Sequence, residues 1–522
     1  MVSRTRLTLA FLQLATASKA AQAPLHSPSE PSPTGRSPDS EVLEKQNSGW
    51  RFDIPLSSSN TTSNHLFDGV SSLLQLWGNA RYRNGHNIVP VTIPTGTLLY
   101  HGTYHNVTPT TPEFVAVDPE HSYLFCRWLE EGKGCYHLTL AATRPLNMLY
   151  FDGGSAAMMH GCMDAQDLMV WGEVKPERLS NDYGRIKFLC EWGKKYNLDG
   201  FLRMQANFEI MLCDFANGVE EVSFLNLVSI GRILPPKGPP PERPTKEYPW
   251  WSYNYLLSGQ WHRDFPGETR VKLDLSGIIS FYDKDLFPSL SRLHSQHERW
   301  EHRVGGLDKP DIGKLMERLD EILNSKPAGS GVDWSSLYRV IVRRYSDRLD
   351  ILRYMLDGKH MHDLVFSNKA EKIAFEVHEY IASMLTAYVL NDVRPRPSEY
   401  PHGWASLVFE TCATTHTKYI SRLSSLTNSE KMLLQSVNDV LHEICRVVVG
   451  IWAEGMELGL HTPGAPTTIV SETRFDELVV KWADELDGLI KWLDWSALVK
   501  CDPACGFEVS VSDKIGDTNR GP

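Results

Sequence analysis

The chain has 522 residues, 42% of them hydrophobic and 22% charged, with a formal net charge of -11 at neutral pH. That length exceeds what one compact core usually organises and points to two domains, while the ordinary apolar content argues against wholesale disorder. With no Lys/Arg run to offset it, the acidic balance excludes nucleic acid as a partner, because that needs a dense basic face.

At the N-terminus Arg4 and Arg6 precede an apolar run from Leu7 to Ala17 and then small residues. This is the layout of a secretory signal peptide over residues 1–20. No later run reaches the roughly 20 apolar residues of a membrane span, and the final residues have no apolar tail for a lipid anchor. The expectation is a soluble protein, secreted or held in the secretory-pathway lumen. Asn60 and Asn106 each open an N-x-Thr sequon and become glycan acceptors there. Most of the nine cysteines should pair in that compartment, and the odd count leaves at least one thiol free or shared. Cys501 and Cys505 form the one close pair, read as a local disulfide; no second pair completes a zinc site, and no metal is evident.

Residues 21–49 form a disordered leader rich in Pro and Ser. Residues 50–234 read as an α+β domain. A helical period runs through DGVSSLLQLWGNARYRN, followed by the strand-like runs GTLLYHG, GCYHLTLAA, LNMLYFDG, DLMVWGEV, GFLRM and FEIMLCDF, with one helix, RIKFLCEWGKKY. Residues 235–310 are a Pro-rich linker and an aromatic bridge, in which Trp250, Trp251 and Trp261 are read as packing groups. Residues 311–500 are read as a helical bundle and 501–522 as a Cys-containing tail. In the bundle Leu337, Val340, Ile341, Tyr345, Leu349 and Leu352 mark one helix face, with further helices over 368–392, 429–460 and 471–498 and N-caps at Ser429 and Ser471. His294, His297, Glu298, Glu301 and His302 are read as a solvated helix face, because H-x-x-H is not the zinc spacing. Ser155 follows a strand as a nucleophile elbow would, but the final Gly is missing and a cap is the expectation.

Within Gly96–Trp128, GTLLYHGTYHN followed by EFVAVDPEHSYLFCRW resembles the first two sequence blocks of the ADP-ribosyltransferase superfamily. The resemblance implies a split-sheet α+β fold with NAD as substrate, His101 anchoring a ribose and Tyr123 holding the nicotinamide. The third block, an acidic residue leading into a strand, is matched at Asp164–Trp171 and puts Asp167 at the acidic position. A carboxylate there would stabilise the oxocarbenium-like centre of glycosidic cleavage. Asp167 is one methylene shorter than the usual Glu. The plain alternative makes His101 a hydrogen-bonded strand residue, Tyr123 a packed aromatic and Asp167 a turn or cap. A second resemblance, over residues 143–290, is to a family of large secreted fungal proteins of unassigned activity. It implies a secretory origin and a two-part architecture.

Two functions follow as expectations. One is an enzyme that cleaves NAD or transfers from it to a small-molecule or protein acceptor, with Asp167→Asn losing activity at an unchanged melting temperature. The other is a non-catalytic secreted glycoprotein or an accessory factor of a fungal secondary-metabolite pathway. They separate on whether His101, Tyr123 and Asp167 line one cleft.

Overall fold

The computed structural model describes residues 50–56, 61–76, 81–123, 125–126, 135–205, 207–227, 267–325, 328–358, 369–460 and 472–499. The signal-like segment and leader, Asn60, the Pro-rich linker, the three bridge tryptophans, Ser471, Cys501 and Cys505 lie outside them.

Ten strands make one mixed sheet: β1 (Asn87–Ile93), β2 (Leu98–Thr103), β3 (Glu113–Ala116), β4 (Cys135–Ala142), β5 (Leu146–Phe151), β6 (Gly200–Met204), β7 (Phe208–Leu212), β8 (Val219–Leu227), β9 (Lys272–Leu273) and β10 (Ile279–Ser280). Their order is β10-β1-β5-β6-β7-β3-β2-β4-β8, with β9 also beside β1, and β5 runs parallel to β6. The sheet thus draws on chain from both sides of residue 234.

The strands β5, β6 and β7 are apolar almost without alternation because both faces of the sheet are covered. Leu149, Phe151, Phe201 and Met211 point to one face. There they meet α3 (Asp164–Trp171), α4 (Asp182–Gly193) and α6 (Lys309–Ser325), whose buried residues join the same cluster. Tyr150, Leu202, Phe208 and Ile210 point to the other face. Their cluster takes in α1 (Ser63–Ser71) and the helical region formed by α7 (Trp334–Asp357), α8 (Lys369–Leu385), α9 (Ser406–Thr414), α10 (Asn428–Glu457) and α11 (Glu472–Leu493). Two further helices, α2 (Pro119–Tyr123) and α5 (Pro288–His294), are short. A mixed-sheet N-terminal region followed by a helical C-terminal region is what the sequence led us to expect.

Several local expectations change. Asp164–Trp171 is a helix, not a strand. A run of four apolar residues, Leu168 to Trp171, carries no period that separates the two. The helical signals are the acidic first turn, with Asp164 and Asp167, and Gly172, which ends the helix at φ 69°. The first helix spans Ser63–Ser71 and does not continue into residues 72–76; Leu74 turns the chain at φ 62°. On α7 the buried stripe runs through Tyr338, Ile341, Tyr345, Leu349, Leu352 and Leu356, and Val340 is exposed. The cap of α10 is Thr427, whose side chain accepts from the Glu430 backbone in a reciprocal capping box. Ser429 lies inside the helix and donates to the Ile278 carbonyl at 2.6 Å.

Among the described residues three disulfides are formed: Cys126–Cys135, Cys190–Cys213 and Cys412–Cys445. Cys162 is buried and unpaired. Cys190 on α4 and Cys213 just after β7 close a loop of 23 residues. Converting both to alanine should cost about 3 kcal/mol by the loop-entropy relation, seen as a lower urea midpoint at pH 7. An unchanged midpoint would mean that packing alone holds α4 on the sheet.

Candidate functional site

Strands β2 and β3 pair at Tyr100 opposite Ala116 and then part. A nine-residue connection from Thr103 to Glu113 separates them, and the sheet opens there into a cleft of about 550 Å³. β2 continues along β4, while β3 continues along β7. His101 spans the gap, with Nδ1–H donating to the Phe114 carbonyl at 2.7 Å. That bond fixes the tautomer and leaves Nε2 as an acceptor. Burial lowers the His101 pKa, partly offset by the Phe114 bond, which keeps the ring neutral.

Gly102 lets α2 sit directly on β2. A Cβ at that position would lie 2.0 Å from the Ser122 carbonyl oxygen, so no other residue allows the approach. The Ser122 hydroxyl lies 2.8 Å from His137 Nε2 on β4, which fixes the helix further. Placed in this way, His121 lines the cleft at 2% exposure, and neither ring nitrogen has a hydrogen-bond partner. Its nearest charged neighbour is Glu209, with Nε2 at 3.9 Å from Oε2.

Glu209 enters from β7, opposite Ala116 of β3 and Arg203 of β6. Its carboxylate is 6% exposed. Burial alone would raise the carboxyl, but the Arg203 guanidinium and the His121 ring outweigh it and hold the pKa at about 2. All five N–H groups of Arg203 are engaged: Nε by Glu209 at 3.0 Å, Nη1 by Gln166 and Asp182 at 3.2 Å each, and Nη2 by Asp182 at 3.2 Å and again by Glu209. Arg203 therefore acts as an internal counter-ion that locks the Glu209 side chain in place.

The three residues singled out in the sequence do not share this cleft. His101 lines it. Tyr123 is buried behind α2 with Cys126 and Cys135, its ring 6.4 Å from His137. Asp167 faces a fully buried Arg185, whose Nε and Nη2 donate to Oδ1 at 3.1 and 2.9 Å, and it accepts from the Lys175 backbone at 3.2 Å. The packed-aromatic description fits Tyr123, whereas Asp167, inside α3, is neither turn nor helix cap but the acidic half of a buried ion pair. Sequence reading missed His121 and Glu209. The acid-then-strand shape sought at Asp164–Trp171 is present in Phe208-Glu209-Ile210-Met211-Leu212, already read as a strand.

Elsewhere, Ser155 is 1% exposed and its hydroxyl donates to the Phe151 carbonyl at 2.6 Å, a structural tie. Of the five residues read as a solvated face, His297, Glu298 and Glu301 are exposed, while His294 and His302 are buried and stacked with ring centres 4.1 Å apart. The chain leaves α5 at His294 and returns through a short 3₁₀ turn at Arg299–Glu301, which folds the two rings together. No group of three metal-ligating side chains occurs among the described residues, and no helix among them is long and apolar enough to cross a membrane. Asn106 is exposed on the β2–β3 connection.

Residues 130–255 match the family model described as the YPL277C N-terminal domain. This stretch carries Asp167, Asp182, Arg203 and Glu209 but not His101 or His121. The chain is similar to the uncharacterised protein YOR389W of Saccharomyces cerevisiae, at 25% identity over 88% of this chain and 82% of that protein. It is also similar to the uncharacterised protein YPL277C of the same yeast, at 26% identity over 64% of this chain and 80% of that protein. These relatives are fungal, and their names assign no activity.

Proposed function

We propose that the split-sheet cleft binds an N-ribosyl nicotinamide substrate and cleaves its glycosidic bond, in the manner that the ADP-ribosyltransferase resemblance implies. One observation carries the reading: His101, His121 and Glu209, from three separate elements, converge on a single cleft of about 550 Å³. His101 Nε2 is the acceptor for a ribose hydroxyl. Glu209 holds the anionic position assigned from the sequence to Asp167, and it is ionised at any pH above about 2.

As the C1′–N bond breaks, the ring nitrogen keeps the bonding pair and leaves as neutral nicotinamide. Positive charge grows on C1′ and the ring oxygen, where a fixed carboxylate in a water-poor site stabilises it most. An acceptor hydroxyl or water then bonds to C1′ and gives its proton to His121, whose nitrogens are otherwise unused. Arg203 is a positioning residue, since it keeps Glu209 from rotating away. Three disulfides and the exposed Asn106 sequon support a secreted glycoprotein as the setting.

The test is nicotinamide release from NAD and from nicotinamide riboside by the purified full chain, with Glu209→Gln alongside. We expect the variant to lose about 10²–10³-fold in kcat, the range for deleting one preorganised electrostatic contact. Because Glu209 also anchors Arg203, His101→Ala serves as a second variant, read by calorimetric titration as weakened binding. If the wild-type chain neither releases nicotinamide nor binds either compound, the cleft is a scaffold feature and the accessory-factor reading stands in its place.

A further inference from the structure

We infer that the cleft selects a cationic, phosphate-free N-glycoside of the nicotinamide riboside type over a dinucleotide. The inference rests on the N-riboside reading above and adds the substrate class. It follows from how the charges in the cleft are already used.

A pyrophosphate needs free N–H donors and uncompensated positive charge. Among the described residues that line the cleft, the one permanently charged cation is Arg203. Each of its five N–H groups already serves Glu209, Asp182 or Gln166, so a phosphate could engage it only by displacing a buried carboxylate. The start of α4 also borders the cleft, through Asp182 and Tyr183. A helix N-terminus can hold an anion, but here Asn181 accepts from the Gly184 N–H and Asp182 brings its own charge to the first turn. The lining holds three carboxylates, on Glu113, Asp182 and Glu209, against that one guanidinium. With His101 neutral, the balance is negative even when His121 carries a proton.

The remaining walls suit a flat organic cation. Tyr100, Phe114, Phe125 and Tyr183 line the same space, and a positive heterocycle is attracted both to aromatic rings and to carboxylates. His121, buried with two unused nitrogens, offers one N–H donor and one acceptor, which suits a sugar hydroxyl; a single N–H beside the Glu209 carboxylate does not make a site for a pyrophosphate. A pyridinium riboside offers a cation, hydroxyls and no phosphate.

The experiment is calorimetric titration of the full chain at pH 7 with nicotinamide riboside, its mononucleotide, NAD, and the neutral dihydro form of the riboside. The riboside should bind at least 10-fold more tightly than NAD, with the mononucleotide between them. The dihydro form should bind at least 10-fold more weakly than the riboside. Glu113→Gln should weaken riboside binding about threefold and narrow its margin over NAD. Tighter or equal binding of NAD overturns the selectivity and leaves the N-riboside reading intact. Equal binding of the dihydro form overturns cation recognition. If none of the four binds, both the inference and the reading beneath it fall.

Discussion

Asp167→Ala should lower folding stability by about 3–5 kcal/mol, the usual cost of removing one partner from a buried ion pair. Arg185 has no exposed side-chain surface and Asp167 has 3%. Without the carboxylate, two N–H contacts of Arg185 lose their acceptor and half of its compensation disappears, leaving Asp182 at 2.7 Å as its remaining carboxylate partner. Asp182 also holds Arg203, and Arg203 holds Glu209. The five side chains form one alternating line from α3 to the cleft, so the perturbation travels along it toward Glu209. Asp167→Asn keeps an acceptor oxygen and should cost less than alanine. Turnover should fall in step with stability in both variants, measured by urea unfolding beside nicotinamide release. Lost turnover at full stability in Asp167→Asn would return the catalytic role to Asp167.

Why Asp167 was legible and Glu209 was overlooked has a physical explanation. A short acidic-then-apolar run such as Asp164–Trp171 reads alike as a helix start or a strand. Glu209 and Arg203 each stand in a five-residue strand whose every residue is buried. A charge inside such a strand is unusual unless it is paired, and two of opposite sign in successive strands were the cue available in the sequence. His121 had no cue of its own. Its position depends on α2 resting on Gly102, a contact between backbones that no periodicity encodes. The long helices were legible because burial on one face leaves a three-and-four repeat, as along α7 from Tyr338 to Leu356. The short strands β3, β9 and β10 were not, since two to four residues hold too little pattern and their place is set by partners distant in the chain.

Between pH 6.5 and 5 a cluster of buried histidines should cost the folded chain roughly 3–4 kcal/mol per pH unit. His65, His86, His294 and His302 surround Tyr282 with ring centres 4.5 to 5.9 Å from it. Burial, reinforced by neighbouring histidines and Arg299, holds His65 and His86 well below the usual imidazole range, puts His294 at about 4 and lowers His302. A histidine with a depressed folded-state pKa destabilises as pH falls, because the unfolded chain takes up protons near pH 6.5 that the folded chain refuses until lower pH. Beside the cluster, one group opposes them. Burial raises Asp152 to about 7 despite its bonds from Asn87, so folding is relieved of a penalty as pH drops through that value. Arg299 stays charged throughout, bound to Asp68 and Asp494 at 2.8 and 2.9 Å. Carboxylates with lowered pKa, such as Glu209, titrate below this window and do not contribute. Within this cluster four histidines against one aspartate leave a net uptake of about two to three protons on unfolding, each worth about 1.4 kcal/mol per pH unit. That is a large share of a typical folding free energy of about 5–15 kcal/mol. His101, His137, His416 and His442, also lowered by burial, add in the same direction, and Glu113, Asp167, Asp283 and Glu485, raised by burial, act against it. Urea unfolding at pH 6.5, 5.75 and 5 measures the slope, and His294→Gln should reduce it by about one proton. A flat profile would mean that these rings accept protons in the folded state, which their packing between α1, α5 and the β1 edge of the sheet argues against.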